Sequence, residues 1–169
     1  MKLLFISTGI ILVSAIVLFA QDNEKKSRKD IRAGKRSKIE QKVKEIITSR
    51  DYIFYARQAN PLGGSPINLT SEYTLQVKGD TIESFLPFYG VAYRAELHGE
   101  GGIKFNTTAK NYKVKEKKGR YEVSIKVNAP NDDYRLYLVV TSSGYATLNV
   151  NCNNRQSISF NGIIKGVGL

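Results

Sequence analysis

The sequence predicts an α+β protein that is mainly β, in which an N-terminal amphipathic helix packs on an antiparallel β-meander. Apolar residues recur with a helical period between residues 37 and 50. After Arg50 the period changes to two and stays there for the rest of the chain. Short turns join the alternating segments without helices between them, which is typical of antiparallel neighbours. A sandwich, a curved sheet or a small barrel satisfies this pattern equally well.

Residues 1–20 have the form of a secretory signal peptide. Lys2 precedes an almost unbroken apolar run over residues 3–19, and Ala20 offers a small residue before the polar stretch that begins at Gln21. We therefore expect residues 1–20 to be removed and the protein to be exported, either to the periplasm or as a secreted protein. The alternative is an N-terminal membrane anchor, because residues 3–19 reach the lower limit of a spanning length and would contact the membrane if uncleaved.

Positive charge is concentrated before the predicted strands. Residues 22–50 hold 11 Lys and Arg against 5 Asp and Glu. We expect residues 21–36 to form a basic flexible arm, and residues 37–169 to form a single β-rich domain with a leading helix. The arm either tethers the domain or docks it on an anionic surface through charge alone. Nucleic acid is not an expected partner, because export separates the protein from it.

The leading helix is predicted to begin at a capping box. Ser37 and Glu40 have the spacing in which the serine oxygen accepts a hydrogen bond from a free backbone N–H and the glutamate reaches back to the cap. One apolar stripe should then dock the helix on the domain. This stripe consists of Ile39, Val43, Ile46 and Ile47.

Turn-forming residues divide the remaining chain into hairpins. Gly79-Asp80 separates two alternating segments, and a glycine at the first position of a two-residue turn suits type II′. Further turns are predicted at residues 117–119, 142–144 and 153–154. The stretches 60–66 and 98–102 break the alternation with glycine and are predicted to be loops.

Six motifs occur in order over residues 37–163. They are Pro61-Leu62-Gly63-Gly64, Asn68-Leu69-Thr70, Leu86-Pro87-Phe88-Tyr89-Gly90, Gly101-Gly102-Ile103-Lys104-Phe105, Ser143-Gly144-Tyr145-Ala146 and Asn153-Asn154-Arg155-Gln156-Ser157-Ile158. Their order and spacing resemble a bacterial family known as domain of unknown function 4251. The resemblance implies a small exported protein with a helix first and strands after it, and with no assigned activity. The chain departs from that pattern at His98 and Cys152, which lowers any catalytic role for either residue.

Conventional catalytic residues are scarce. Cys152 is the single cysteine and His98 the single histidine, so neither an intramolecular disulfide nor a usual zinc site can form. Cys152 alternates in phase with buried apolar positions, which predicts an inert thiol. The alternative function is a hydrolase that uses Glu96, Glu100 or Cys152. We expect Glu96 and Glu100 to be exposed charges in a loop. We also expect that the protein has no cofactor and is not an enzyme.

Ligand binding is the favoured function, through residues that are aromatic, glycine-rich or able to recognise a carboxylate. Tyrosine offers a flat face with a hydrogen-bonding rim, and arginine binds a carboxylate through two parallel hydrogen bonds. An alternative for the arginine is that it joins loops by binding backbone carbonyls. The predicted partner is a protein, a glycan or a small ligand in the bacterial envelope. The candidate residues are Tyr89, Tyr93, Gly101, Gly102, Lys104, Asn154, Arg155 and Gln156.

Overall fold

The structure is a computed structural model that describes residues 30–93, 101–130 and 132–167. The chain divides into two units, Met1–Lys38 and Ile39–Leu169. The predicted signal peptide lies outside the described residues. Within the described ranges, no helix is both long enough and apolar enough to cross a membrane.

Helix α1 covers residues 30–49, so it already includes positions that we expected to lie in a flexible arm. Ser37 therefore lies inside the helix and does not cap it, because residues 30–36 continue the helical backbone on its N-terminal side. Of the predicted apolar stripe, Val43, Ile46 and Ile47 are buried, whereas Ile39 keeps 48% of its surface exposed. The docking face thus begins one turn later than its sequence pattern indicates.

Eight antiparallel strands follow the helix and close into a barrel in which each strand pairs with its neighbours in sequence. The closing pair joins the first and last strands, with Tyr52 opposite Gly166 and Pro61 opposite Ile158. The predicted antiparallel β-structure is therefore confirmed. The strands are β1 (Asp51–Pro61), β2 (Ile67–Lys78), β3 (Thr81–Leu86), β4 (Ile103–Lys117), β5 (Arg120–Asn128), β6 (Asp133–Thr141), β7 (Tyr145–Asn151) and β8 (Ile158–Gly166).

The tight hairpin turns use residues with positive φ. Gly79 has a φ of 60° between β2 and β3, as the glycine-first turn requires. Lys118 and Gly119 have φ values of 50° and 72° between β4 and β5, and two successive positive values indicate a type I′ turn. These turns match the right-handed twist of the strands that they connect.

The barrel interior is a packed core. Apolar side chains at alternate positions point inward, most regularly in β3, β5, β6 and β7, as the period of two predicts. α1 packs against this core through its three buried residues. The largest fully buried side chains are Tyr52, Tyr134, Phe54, Phe160, Ile47, Leu75, Ile82, Leu86, Ile103, Ile125, Leu136 and Leu138.

The two ends of the barrel differ because successive strands run in opposite directions. One end, here named the helix end, carries the C-terminal part of α1 and the turns at residues 79–80, 118–119 and 142–144. An exposed ion pair of 3.8 Å between Lys44 and Glu116 joins the helix to the end of β4. The opposite end, here named the loop end, carries the connections at residues 62–66, 87–102, 129–132 and 152–157.

Candidate functional site

The loop end brings together most of the residues that the sequence singles out. Three of its connections, at residues 87–102, 129–132 and 152–157, contact one another through hydrogen bonds between backbone and side chains. Residues 94–100 of the first connection lie outside the described ranges. The site is therefore built from the residues on either side of that segment, together with the β5–β6 and β7–β8 loops.

Arg155 is the centre of this cluster. Its side chain is buried, with 7% of the residue surface exposed, although arginine is rarely buried without partners. Nη1 donates a hydrogen bond of 2.6 Å to the carbonyl oxygen of Gly102, and the guanidinium carbon lies 5.1 Å from the centre of the Phe88 ring. Burial lowers the pKa of the guanidinium, but arginine keeps its proton in proteins. A buried cation therefore links the β7–β8 loop to the start of β4.

A short antiparallel pairing joins the β7–β8 loop to the β3–β4 connection. Ala92 and Arg155 form an isolated bridge. On its two sides, the N–H of Tyr93 donates to the carbonyl of Asn154 at 2.7 Å, and the N–H of Gln156 donates to the carbonyl of Val91 at 3.0 Å. The side-chain oxygen of Gln156 also accepts from the N–H of Val91 at 3.2 Å. Residues 91–93 are thereby held at fixed positions.

Asp132 holds the same loop from the opposite side. Its Oδ1 accepts from the N–H of Asn153 at 3.1 Å, and its Oδ2 accepts from the N–H of Asn154 at 3.0 Å. Oδ1 also accepts from the N–H of Asp133 at 2.8 Å. One carboxylate thus satisfies three backbone donors, and it fixes the turn from which Arg155 projects.

Cys152 begins this loop and is half-buried. Its Sγ lies 3.9 Å from the carbonyl oxygen of Arg155, which it can contact as a weak donor. Burial, followed by the nearby Asp132 carboxylate, raises the pKa of the thiol to about 11. The sulfur is therefore protonated near neutral pH, whereas a cysteine nucleophile must be a thiolate.

The other predicted site residues occupy different surroundings. Tyr89 is partly buried and packs against the core, whereas Tyr93 is 64% exposed. Gly101 is exposed and its neighbour Gly102 is buried. Lys104 points along the outer wall, with its Nζ 5.1 Å from the centre of the Phe85 ring.

The remaining catalytic candidates, Glu96, His98 and Glu100, lie outside the described residues. Within the described ranges, no group of three or more His, Cys, Asp and Glu side chains is placed to hold a metal ion.

Sequence reasoning missed Asp132 and Val91. Asp132 appears in the sequence only as part of a turn-forming stretch, and nothing in that pattern indicates that it accepts from a loop 21 positions later. Val91 is 56% exposed near Tyr93, and the two residues form an apolar surface. They lie outside the strands, so the period of two does not identify them. The nearby Leu86-Pro87-Phe88-Tyr89-Gly90 motif was the available signal for this segment.

The comparisons with known proteins agree with the fold. The family model described as Domain of unknown function (DUF4251) matches residues 35–164. The chain is also similar to the crystal structure of a DUF4251 family protein from Bacteroides eggerthii, with a TM-score of 0.60 and 17% sequence identity over 76% of this chain and 87% of that chain. A search of curated proteins finds no match.

Proposed function

The chain belongs to the DUF4251 family, and we propose that it acts as an exported, non-enzymatic binding module of the bacterial envelope. The loop end is its contact surface. The observation that carries the proposal is the exposure of Tyr93 on a segment whose backbone is hydrogen-bonded to the β7–β8 loop at Val91 and at Tyr93. An exposed aromatic residue on a rigid support loses little conformational entropy on binding, which favours recognition.

Three features of the surface support this role. Tyr93 and Val91, two positions apart in the chain, expose 64% and 56% of their surface. Leu62, at the β1–β2 connection of the same end, is 66% exposed. Apolar side chains exposed on connections that a barrel holds in place are typical of protein contact sites. Arg155 is a positioning residue in this proposal, because its buried guanidinium holds the surface together and does not reach solvent.

The non-enzymatic part of the proposal rests on Cys152. Its raised pKa favours the thiol over the thiolate, and the Asp132 carboxylate opposes ionisation. A carboxylate that accepts three backbone hydrogen bonds also serves a structural purpose. Both observations support a site built for binding.

A matched pair of tyrosines tests the contact surface. Tyr93 and Tyr145 are 64% and 67% exposed, but Tyr93 lies at the loop end and Tyr145 begins β7 at the helix end. We expect a screen of immobilised glycans and envelope-protein peptides to yield a ligand that Tyr93→Ala loses and Tyr145→Ala retains. If every ligand binds both variants equally, the loop end is not the contact surface.

Export is tested separately. When the full-length chain is produced in a bacterium with an envelope, the mature protein should be found outside the cytoplasm with Gln21 as its first residue. A membrane-bound product that retains residues 1–20 would support the anchored alternative, and a cytoplasmic product would contradict export in either form.

Basic residues before the barrel support a second role, docking on an anionic surface. Residues 30–38 are helical and exposed, and they include Arg32, Lys35, Arg36 and Lys38. Binding to vesicles that contain anionic lipid should fall steeply as salt is raised. Deletion of residues 22–36 should remove this binding, and salt-insensitive binding would exclude the role.

A further inference from the structure

A groove of about 360 Å³ lies on the outer wall of the barrel, separate from the loop end. It is formed where β6, β7, β8 and β1 meet, at the point where the barrel closes. The pairing of β1 shifts between Ala56 and Gln58, and Arg57 is the extra residue of this bulge. A bulge increases the local twist of a strand and redirects a side chain. Here it leaves the exposed Arg57 side chain at one side of the groove.

Tyr145 supplies an aromatic surface in the groove. It is 67% exposed, although the apolar Val139 and Ile163 line the same groove and are themselves only partly exposed. A tyrosine ring presents a flat apolar face, and its hydroxyl keeps a polar edge. Such a surface suits the face of a sugar ring, which is apolar on its C–H side and polar around its rim.

A row of polar side chains crosses four strands beside the groove. Thr147 Oγ1 donates to Asn161 Oδ1 at 3.1 Å, and Asn161 Nδ2 donates to Gln58 Oε1 at 3.2 Å. Gln58 Nε2 continues the row by donating to Asn68 Oδ1 at 3.2 Å. Each amide nitrogen has a second N–H, and each carbonyl oxygen has a second lone pair. The row therefore fixes amide groups in place while leaving them able to bind hydroxyl groups.

The charge around the groove favours an anion. The guanidinium of Arg57 is exposed and makes no hydrogen bond or ion pair with any residue that the structure describes. On the other side of the groove, Thr141 pairs with Arg120, which in turn pairs with Lys117. The acidic Glu122 also lies on this face, opposite Val139. The chain as a whole has a formal net charge of +11.

The closed barrel argues against an extended peptide as the occupant. Peptides commonly bind to sheets by adding a strand to an exposed edge, where backbone groups provide most of the hydrogen bonds. The strands that form the groove, β6, β7, β8 and β1, are paired with their neighbours on both sides there, so their backbone groups are already bonded. A ligand in the groove must use side-chain partners, which a glycan does.

From these contacts we infer that the groove binds an acidic oligosaccharide, with one sugar ring on Tyr145 and a ring carboxylate on Arg57. The neighbouring hydroxyl groups bind Asn161 and Thr147. Arg57 supplies a planar pair of donors that matches the carboxylate, and Arg120 and Lys117 attract the next acidic unit. This site is independent of the loop end.

Calorimetry on the purified protein tests the inference with a matched pair of probes. One probe is tetragalacturonic acid, and the other is its fully methyl-esterified form, which keeps the rings and loses the charges. We expect the acid to bind at least about tenfold more tightly than the ester, because the ester cannot form the charge-assisted bond to Arg57.

Four variants separate the groove from general attraction by charge. Arg57→Gln and Tyr145→Ala should each weaken binding of the acid by about tenfold or more. Lys126→Gln removes an equal charge from the same wall, at a position that pairs with Arg135 toward the loop end, and it should change the affinity by less than about twofold. Tyr93→Ala should also leave it unchanged. The substituted side chains are exposed, so all four variants should fold.

Three results would overturn the inference. They are equal binding of acid and ester, equal losses in Arg57→Gln and Lys126→Gln, and the absence of binding at millimolar acid. None of these results tests the proposed contact surface at the loop end, which is tested by Tyr93→Ala in the ligand screen. Failure of the groove and failure of the proposed contact surface are therefore distinguishable.

Discussion

The Arg155 guanidinium donates a 2.6 Å hydrogen bond from Nη1 to the carbonyl oxygen of Gly102, a residue 53 positions earlier in the chain. This bond joins two loops that are connected in sequence only through β4, β5, β6 and β7. Because both groups are buried, neither can form a hydrogen bond with bulk water in place of this one. The pair therefore fixes the shape of the loop end.

Replacement of Arg155 by Met should destabilise the fold. Met keeps much of the apolar stem but leaves the Gly102 carbonyl without this donor, and a lost bond to a charged group costs about 2 kcal/mol. For a protein of this size the melting temperature should fall by about 4–8 °C. Calorimetric melting checks this value. Arg57→Met is the control, because that exposed side chain has no partner among the described residues, and an equal fall in both variants would contradict the prediction.

Cys152 should react slowly with thiol reagents in the folded protein. With its pKa raised to about 11 by burial and by Asp132, the thiolate fraction at pH 8 is about 0.1%, against about a quarter for an ordinary cysteine. Alkylation by iodoacetamide should therefore be at least about a hundredfold slower than in the urea-unfolded chain. Rates measured from pH 7 to pH 11 check this, since the rate should keep rising across the whole range.

Asp132→Asn provides the second part of the same experiment. Removing the carboxylate charge removes one cause of the raised pKa, so Cys152 should react faster in this variant. Asp133→Asn is the matched control, because Asp133 is exposed and is not a cause of the shift. A rate that is half-maximal near about pH 8.5 and constant above about pH 9.5 in the wild type would show that the thiol is not perturbed.

The sequence predicted local features of the barrel but could not predict its closure. The alternation of apolar residues identifies the inward face, and Gly79 marks a turn by its conformational freedom. Closure depends on the pairing of Tyr52 with Gly166, and residues this far apart leave no periodic signal. The prediction that α1 begins at Ser37 was wrong, because the residue pattern of a capping box can also occur inside a helix.

The candidate site, like the barrel, was predicted only in its local features. The loop-end residues were identified individually from glycine, aromatic and amide motifs. Two uses of Arg155 remained open, because its partner is set by tertiary structure and not by spacing. The geometry places its guanidinium on a backbone carbonyl. Residues of the wall groove, such as Arg57, carried no motif, since a bulge is visible only when the strands are paired.

Alkaline conditions should destabilise the protein partly through Tyr52. This buried hydroxyl lies 3.1 Å from the hydroxyl of Tyr112, and burial followed by the neighbouring Tyr112 raises its pKa well above the ordinary value. An unfolded tyrosine ionises near pH 10. Above that pH the unfolded chain releases a proton that the folded protein keeps, so stability is present below about pH 10 and is lost as the pH rises further.

Tyr52→Phe should flatten this dependence. The variant should lose about 1 kcal/mol at pH 7, because the bond to Tyr112 is gone, but its free energy of unfolding should fall less steeply between pH 9 and pH 11. Urea unfolding at several pH values measures both effects. Tyr145→Phe, at an exposed position, should keep the wild-type slope. An unchanged slope in Tyr52→Phe would show that this hydroxyl does not contribute.

The two neighbouring glycines at the start of β4 should differ sharply in their tolerance of a side chain. Gly102 has a φ of 141°, and a Cβ there would lie 2.8 Å from the carbonyl oxygen of Leu86. At Gly101 a Cβ would meet no atom of the described residues within 4 Å. Gly102→Ala should therefore cost about 3 kcal/mol through crowding and backbone strain, while Gly101→Ala should stay within about 0.5 kcal/mol of the wild type.

A double-mutant cycle connects this strain with Arg155. If the alanine at position 102 moves the carbonyl that Arg155 binds, Arg155→Met should cost less in the Gly102→Ala background than in the wild type. We expect a coupling free energy of about 1 kcal/mol, obtained from urea unfolding of the four proteins. The cycle through Gly101→Ala should be additive. Additivity in both cycles would mean that the hydrogen bond survives the substitution, and that the glycine is needed only for its backbone conformation.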